Sequence, residues 1–151
     1  IIKSITYFYE DYYAYRQEQP PVSFEEINPD HPYYNVVETA TRLGILNPLE
    51  DELNIDQKVT NEQLAVWYIR ALGLEQAAKH RDIYQLTIKD AADVDPEKVG
   101  YVAISHVLGL QGAEQSMFLP KKEVTYAQLA KSIIELAYEI AEKRNSGSYY
   151  Y

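Results

Sequence analysis

The chain has no cysteine at all. That removes disulfides, thiol catalysis and cysteine-based zinc sites in one step. It also lacks any uninterrupted apolar run near the roughly 18 residues a spanning helix needs, so no membrane span is expected. Basic residues are outnumbered, 14 Lys and Arg against 23 Asp and Glu, for a net charge of -9. A nucleic-acid partner is therefore not expected, because phosphate neutralisation needs clustered cations. Glycine-rich phosphate loops, dinucleotide fingerprints and nucleophile elbows are missing too, so no catalytic residue, metal or cofactor is assigned. His80-Arg81-Asp82 spells a kinase triplet without any of the accompanying motifs. The three histidines, His31, His80 and His106, have no metal-ligand spacing.

What is present is the profile of a water-soluble globular chain: 151 residues, 46% hydrophobic and 25% charged, with a mean hydropathy of -0.39. The aromatic balance is skewed, with 15 Tyr against 3 Phe and 1 Trp. Tyrosine has an apolar face and a hydrogen-bonding tip, which suits half-buried surfaces, sheet edges and sugar stacking. The run Ile5, Thr6, Tyr7, Phe8, Tyr9 predicts a short N-terminal strand-like segment, a strand or a strand-turn remnant, and Gln19, Pro20, Pro21 a stiff linker. The first residue is Ile1, and no signal sequence precedes it, which reads as a piece of a longer or processed precursor.

An internal repeat decides the expected architecture. With the sequence shifted by 65, Asp30 falls on Asp95, Val37 on Val102, Gly44 on Gly109, Val59 on Val124 and Thr60 on Thr125. Gln63, Leu64, Ala65 and Ile69 then fall on Gln128, Leu129, Ala130 and Ile134. At least nine of forty positions match, where composition alone would give roughly two or three.

Each copy predicts a helix starting near Pro32 or Pro96 and ended by Gly44 or Gly109 in the left-handed conformation. A loop follows, then a capping box, Thr60 with Gln63 or Thr125 with Gln128, that opens a second helix. The fold class expected is mainly α, as tandem helix-loop-helix repeats. The division is 1-21 for an aromatic segment and linker, 22-80 for repeat 1, 81-144 for repeat 2 and 145-151 for a tail.

The order of these elements, twice over, resembles the S-layer homology repeat. The residues that carry it are Phe24 to Ile27, Leu43-Gly44-Ile45 and Thr60 to Ala65. In the second copy they are Ile88 to Ala91, Leu108-Gly109-Leu110, Phe118-Leu119-Pro120 and Val124 to Ala130. The resemblance implies a non-catalytic module of a bacterial surface or secreted protein, extracellular, anchored to a secondary cell-wall polysaccharide. In that family the second helix begins Thr-Arg-Ala-Glu, with the arginine on the acidic polymer; here Asn61 and Tyr126 take the arginine position, and neither forms a bidentate pair with a carboxylate. The family usually has three repeats, and two are found here.

The alternative is that degenerate repeats act as a structural or protein-interaction domain against a neighbouring protein domain. Candidate ligand residues are the aromatics Tyr33, Tyr34 and Tyr101, the arginine-position residues Asn61 and Tyr126, and Trp67, which reads first as inter-repeat core. Lys121 and Lys122 are the compact basic pair that could replace the lost arginine, or a solvated loop pair. The carboxylates at 50, 51, 52 and 56 and at 90, 93 and 95 read as solvated acidic loops.

Overall fold

A computed structural model describes residues 1–6, 24, 27–112 and 115–147. They are mainly helical: α1 Ile2–Thr6, α2 Tyr34–Arg42, α3 Asn61–Ala71, α4 Glu75–Lys79, α5 Val99–Val107 and α6 Tyr126–Gly147. Short 3-10 turns lie at Arg81–Ile83, Ala91–Asp93 and Pro96–Lys98. The chain divides into two compact units, Ile1–Gln57 and Lys58–Tyr151.

In the first unit the expected strand is a helix as far as it is described. Ile5 and Thr6 belong to α1, with Ile5 N donating to Ile1 O at 3.2 Å and the Thr6 hydroxyl to Lys3 O at 3.1 Å. β-branched residues favour strands only weakly, and packing decides: Ile5 is fully buried and α1 packs on α2. The rest of the run, Tyr7 to Tyr15, and the Gln19-Pro20-Pro21 linker lie outside the described residues. Phe24, Ile27, Val37, Ala40, Ile45 and Leu46 complete this core.

The second unit has its core in Leu64, Tyr68, Ile69 and Leu72 of α3, Val102 of α5 and Leu136 and Ile140 of α6, with Ile88, Leu110 and Phe118 from the connections. α5 packs on both α3 and α4. It comes close enough to α4 that a Cβ built on Gly100 would lie 1.9 Å from Ala78 O. Tyr68 ties α3 to α6 by a 2.6 Å hydrogen bond between its hydroxyl and that of Ser132. Burial pushes the Tyr68 phenol up to about 12.

The 65-residue period is present in the backbone. α2 and α5 are both nine residues long and start at 34 and 99; α3 and α6 start at 61 and 126. Gly44 and Gly109 have φ of 72° and 71°. Around them the same two C-terminal bonds recur: Gly44 N to Thr41 O and Ile45 N to Ala40 O, then Gly109 N to His106 O and Leu110 N to Ser105 O, all between 2.9 and 3.1 Å. This double closure satisfies the carbonyls a helix end leaves free. Thr60 caps α3 through Gln63 N at 3.4 Å. Thr125 and Gln128 form the full reciprocal box, with Gln128 N on the Thr125 hydroxyl at 3.2 Å and Thr125 N on the Gln128 amide oxygen at 3.1 Å.

Candidate functional site

The loops before the two capped helices meet inside the second unit. Thr60 and Glu123 form an isolated antiparallel bridge, and Val124 N donates to Val59 O at 2.9 Å. Asn61 N and Glu62 N then donate to Lys122 O and Pro120 O at 3.0 and 3.1 Å. The first two amides of α3, unsatisfied within any helix, are thus capped by the loop of the other copy.

That loop, residues 115–122, is held in an unusual shape. Gln115, Ser116 and Leu119 have positive φ of 52°, 67° and 56° without being glycine. Such conformations persist only where surroundings impose them. Asp90 imposes this one: its buried carboxylate accepts Phe118 N at 2.9 Å and Leu119 N at 2.7 Å. Asn61 grips the opposite side, its amide nitrogen donating to Phe118 O and Leu119 O at 3.2 and 3.1 Å. Gln111 completes the frame by donating to Asn61 O at 2.9 Å while accepting from the Ser105 hydroxyl at 2.9 Å.

Beside this frame sits a charge cluster that sequence reasoning did not find. Glu62 is buried, yet its carboxylate accepts Lys121 Nζ at 2.5 Å and Asp95 N at 3.1 Å, with Lys98 Nζ at 3.7 Å. Lys98 also donates to Asp95 at 3.1 Å. The Glu97 amide first, and then Lys98, hold the Asp95 carboxyl below its ordinary value against the opposing effect of burial. Two carboxylates and two ammonium groups balance here, so an anionic ligand would have to compete with Glu62 for Lys121.

The proposed ligand residues divide sharply. Asn61 is 8% exposed and spends its amide on the loop, so it presents nothing to a ligand. Tyr101 is 5% exposed and donates its hydroxyl to Glu75 at 3.0 Å, so its ring is unavailable for stacking on a sugar. Burial, then the charge of Glu75, push this phenol up to about 12. Arg70, the cation near Trp67, is buried and donates Nε to Glu75 at 2.8 Å; Trp67 itself is half-buried.

Lys121, Lys122 and Tyr126 lie on the surface, Tyr126 at 93% exposure as the first residue of α6. In the first unit Tyr33 is 53% exposed, its ring centroid 5.7 Å from that of His31, and Tyr34 is half-buried. Asp90, expected to be solvated, is instead the loop's internal anchor. Its sequence signal was position: it follows Ile88 at the start of copy two, where the loop it holds returns.

Among the described residues no helix is long and apolar enough to cross a membrane. No protein-family model matches the chain, and no solved structure matches it. A curated protein of Thermoanaerobacter kivui described as a cell surface protein is 32% identical over 107 residues, which cover 70% of this chain and 14% of that protein. The chain therefore spans about a seventh of the length of the relative it matches.

Proposed function

We propose that the chain is a non-catalytic attachment module of a bacterial surface protein, built from two S-layer-homology-like repeats that contact cell-wall polysaccharide. The observation that supports it most is the backbone period: two nine-residue helices, two left-handed glycines and two threonine caps, each pair 65 residues apart. The relative named as a cell surface protein supports the same location. The contact surface in this reading is the rim of the 115–122 loop, where Lys122 and Tyr126 stand exposed beside Lys121. Tyr126 supplies an aromatic face for sugar C–H groups, and the lysines supply the charge that the arginine position lacks.

Purified cell-wall sacculi should retain the protein, and Lys121→Glu with Lys122→Glu should release it at moderate salt. Failure of the unmodified chain to bind sacculi would remove the glycan reading.

The second reading is a structural or protein-interaction domain. It draws on Asn61 and Tyr101: residues at ligand positions are here consumed by internal hydrogen bonds. On that reading sacculi retain nothing, while the fold is unchanged.

A further inference from the structure

α6 buries one stripe and leaves its back bare. Ser132, Leu136 and Ile140 are buried, whereas Ala127, Ala130, Ile134, Tyr138 and Ala141 are exposed on the opposite face, Ile134 at 55% and Tyr138 at 66%. Positions 127, 134 and 141 and positions 131 and 138 follow the seven-residue spacing of a helix-helix seam. A soluble helix normally sets charge, not Ile and Tyr one turn apart, on its outer face.

We propose that this stripe is a self-association surface on which a second copy of the chain lays its own α6 antiparallel, across a two-fold axis beside Leu136. The sequence of the stripe reads nearly alike from both ends. Ile134 and Tyr138 sit two positions either side of 136, and Ala130 and Ala141 flank them at almost equal distance. Small residues at those flanks let two helix axes approach closely.

The charges fix the direction. Lys131 and Glu142 are exposed and, at about 100° per residue, lie within about 20° of each other on the same edge of the stripe. Neither side chain has a hydrogen bond or ion pair within the described residues. The midpoint of 131 and 142 falls beside that of 134 and 138, so the two-fold axis sets Lys131 of each copy against Glu142 of the other. In a parallel pair the edge that carries Lys131 and Glu142 would lie on opposite sides of the seam in the two copies, so neither pair could form. The isologous contact closes on itself and needs no second surface.

One helix pair buries less than the roughly 1,200 Å² of a standard stable interface, so the association is weak and concentration-dependent. Sedimentation equilibrium on the full chain, from about 1 μM to about 1 mM, should show reversible approach to twice the monomer mass. Lys131→Glu and Glu142→Lys should each weaken it at least about tenfold by replacing two attractive pairs with two repulsive ones. An equimolar mixture of these two variants should regain the dimer, because every cross-copy pair is again of opposite sign. Ile134→Glu should leave a folded monomer, checked by circular dichroism. The proposal is overturned by a monomer at every concentration, by a dimer that survives Ile134→Glu, or by charge variants that do not recover on mixing. None of these outcomes depends on whether the chain binds polysaccharide.

Discussion

The helix starts at Thr60-Asn61 and Thr125-Tyr126 are the same device in two settings. Both have a threonine cap, a glutamine three residues on and a helix beginning at the next residue. Yet Asn61 is enclosed by the loop of the other copy, while Tyr126 faces solvent. Local sequence sets the cap, because its hydrogen bonds span only three residues. Whether the first helical side chain meets solvent or a partner depends on a loop 57 residues away. An identical motif therefore does not imply an identical role, and the residue after the threonine cap serves here once as an internal clamp and once as a surface residue.

The largest expected effect breaks that comparison directly. Asn61→Arg removes two hydrogen bonds to the 118–119 carbonyls and forces a charge into a filled site, which should cost about 4 kcal/mol. Tyr126→Arg should stay within about 0.5 kcal/mol, as an exposed substitution at a helix start. Urea denaturation of both single variants measures the difference. If the two cost the same, the clamp assigned to Asn61 does not hold.

A second asymmetry separates α2 from α5. Position 35 of the first copy is exposed Asn35, while the matching Gly100 has α4 against its backbone. Gly100→Ala should cost about 3 kcal/mol, because the added methyl meets the Ala78 carbonyl, whose backbone has little freedom to give. Asn35→Ala should be neutral or slightly stabilising, within about 0.5 kcal/mol, since alanine is the better helix former. Comparable losses at both sites would show that α4 does not press on α5 as described.

How far these contrasts were legible follows from the range of each interaction. The helices, the glycine closures and both caps rest on bonds between residues three to five apart, and periodicity and capping chemistry expose those. The 65-residue repeat carried them twice, so α2, α3, α5 and α6 could be placed before any coordinates. Asp90, Glu62 and Glu75 were invisible for the opposite reason. Each carboxylate finds partners 26 to 59 residues away on other elements, and in sequence each looks like any acidic surface residue. The α1 segment misled because Ile5 and Thr6 have strand propensity, while the burial of Ile5 where α1 packs on α2 is a tertiary contact that the sequence does not display.

Glu75 sharpens the comparison through pH, because α4 has a charged network at the position where it joins α3 to α5. Burial pushes the Glu75 carboxyl up, but the hydrogen bond and charge of Arg70, the Tyr101 hydroxyl and Lys79 outweigh it and hold the group below the ordinary 4.5. A carboxyl lowered in the folded state adds stability above its unfolded value and loses it as pH falls through the folded one. Stability should therefore decline below about pH 4.5, and Glu75→Gln should flatten that decline. At neutral pH the same change should cost about 2 kcal/mol by replacing the charged hydrogen bond between Glu75 and the buried Arg70 with a neutral one. The alkaline side has the reverse sign: Tyr68 and Tyr101, raised from 10 to about 12, favour the folded state below pH 10 and cease to do so as pH rises through 12. Tyrosinate absorbance in the folded protein should show these two among the last to ionise, and Tyr101→Phe should remove one from that late group. An acid limb unchanged by Glu75→Gln would place the acid sensitivity elsewhere, with Asp95 the next carboxyl to test.

The smallest effect tests where the two copies should behave alike. Gly44 and Gly109 share a left-handed φ, and a Cβ at either would have nothing within 4 Å. Substitution by alanine therefore adds no clash, only the cost of holding a side chain in a conformation L-residues avoid, about 1 kcal/mol at each site. Because the cost arises in the backbone and not in the surroundings, it should be equal although Gly44 ends the polar α2 and Gly109 the apolar α5. Asparagine, which tolerates this region, should recover part of it at both. Matched losses measured by denaturation, with matched partial rescue, would show that the duplicated helix end is an autonomous local structure. Losses differing by more than about 1 kcal/mol would mean that tertiary packing, which already separates Asn61 from Tyr126 and Asn35 from Gly100, reaches the closures as well.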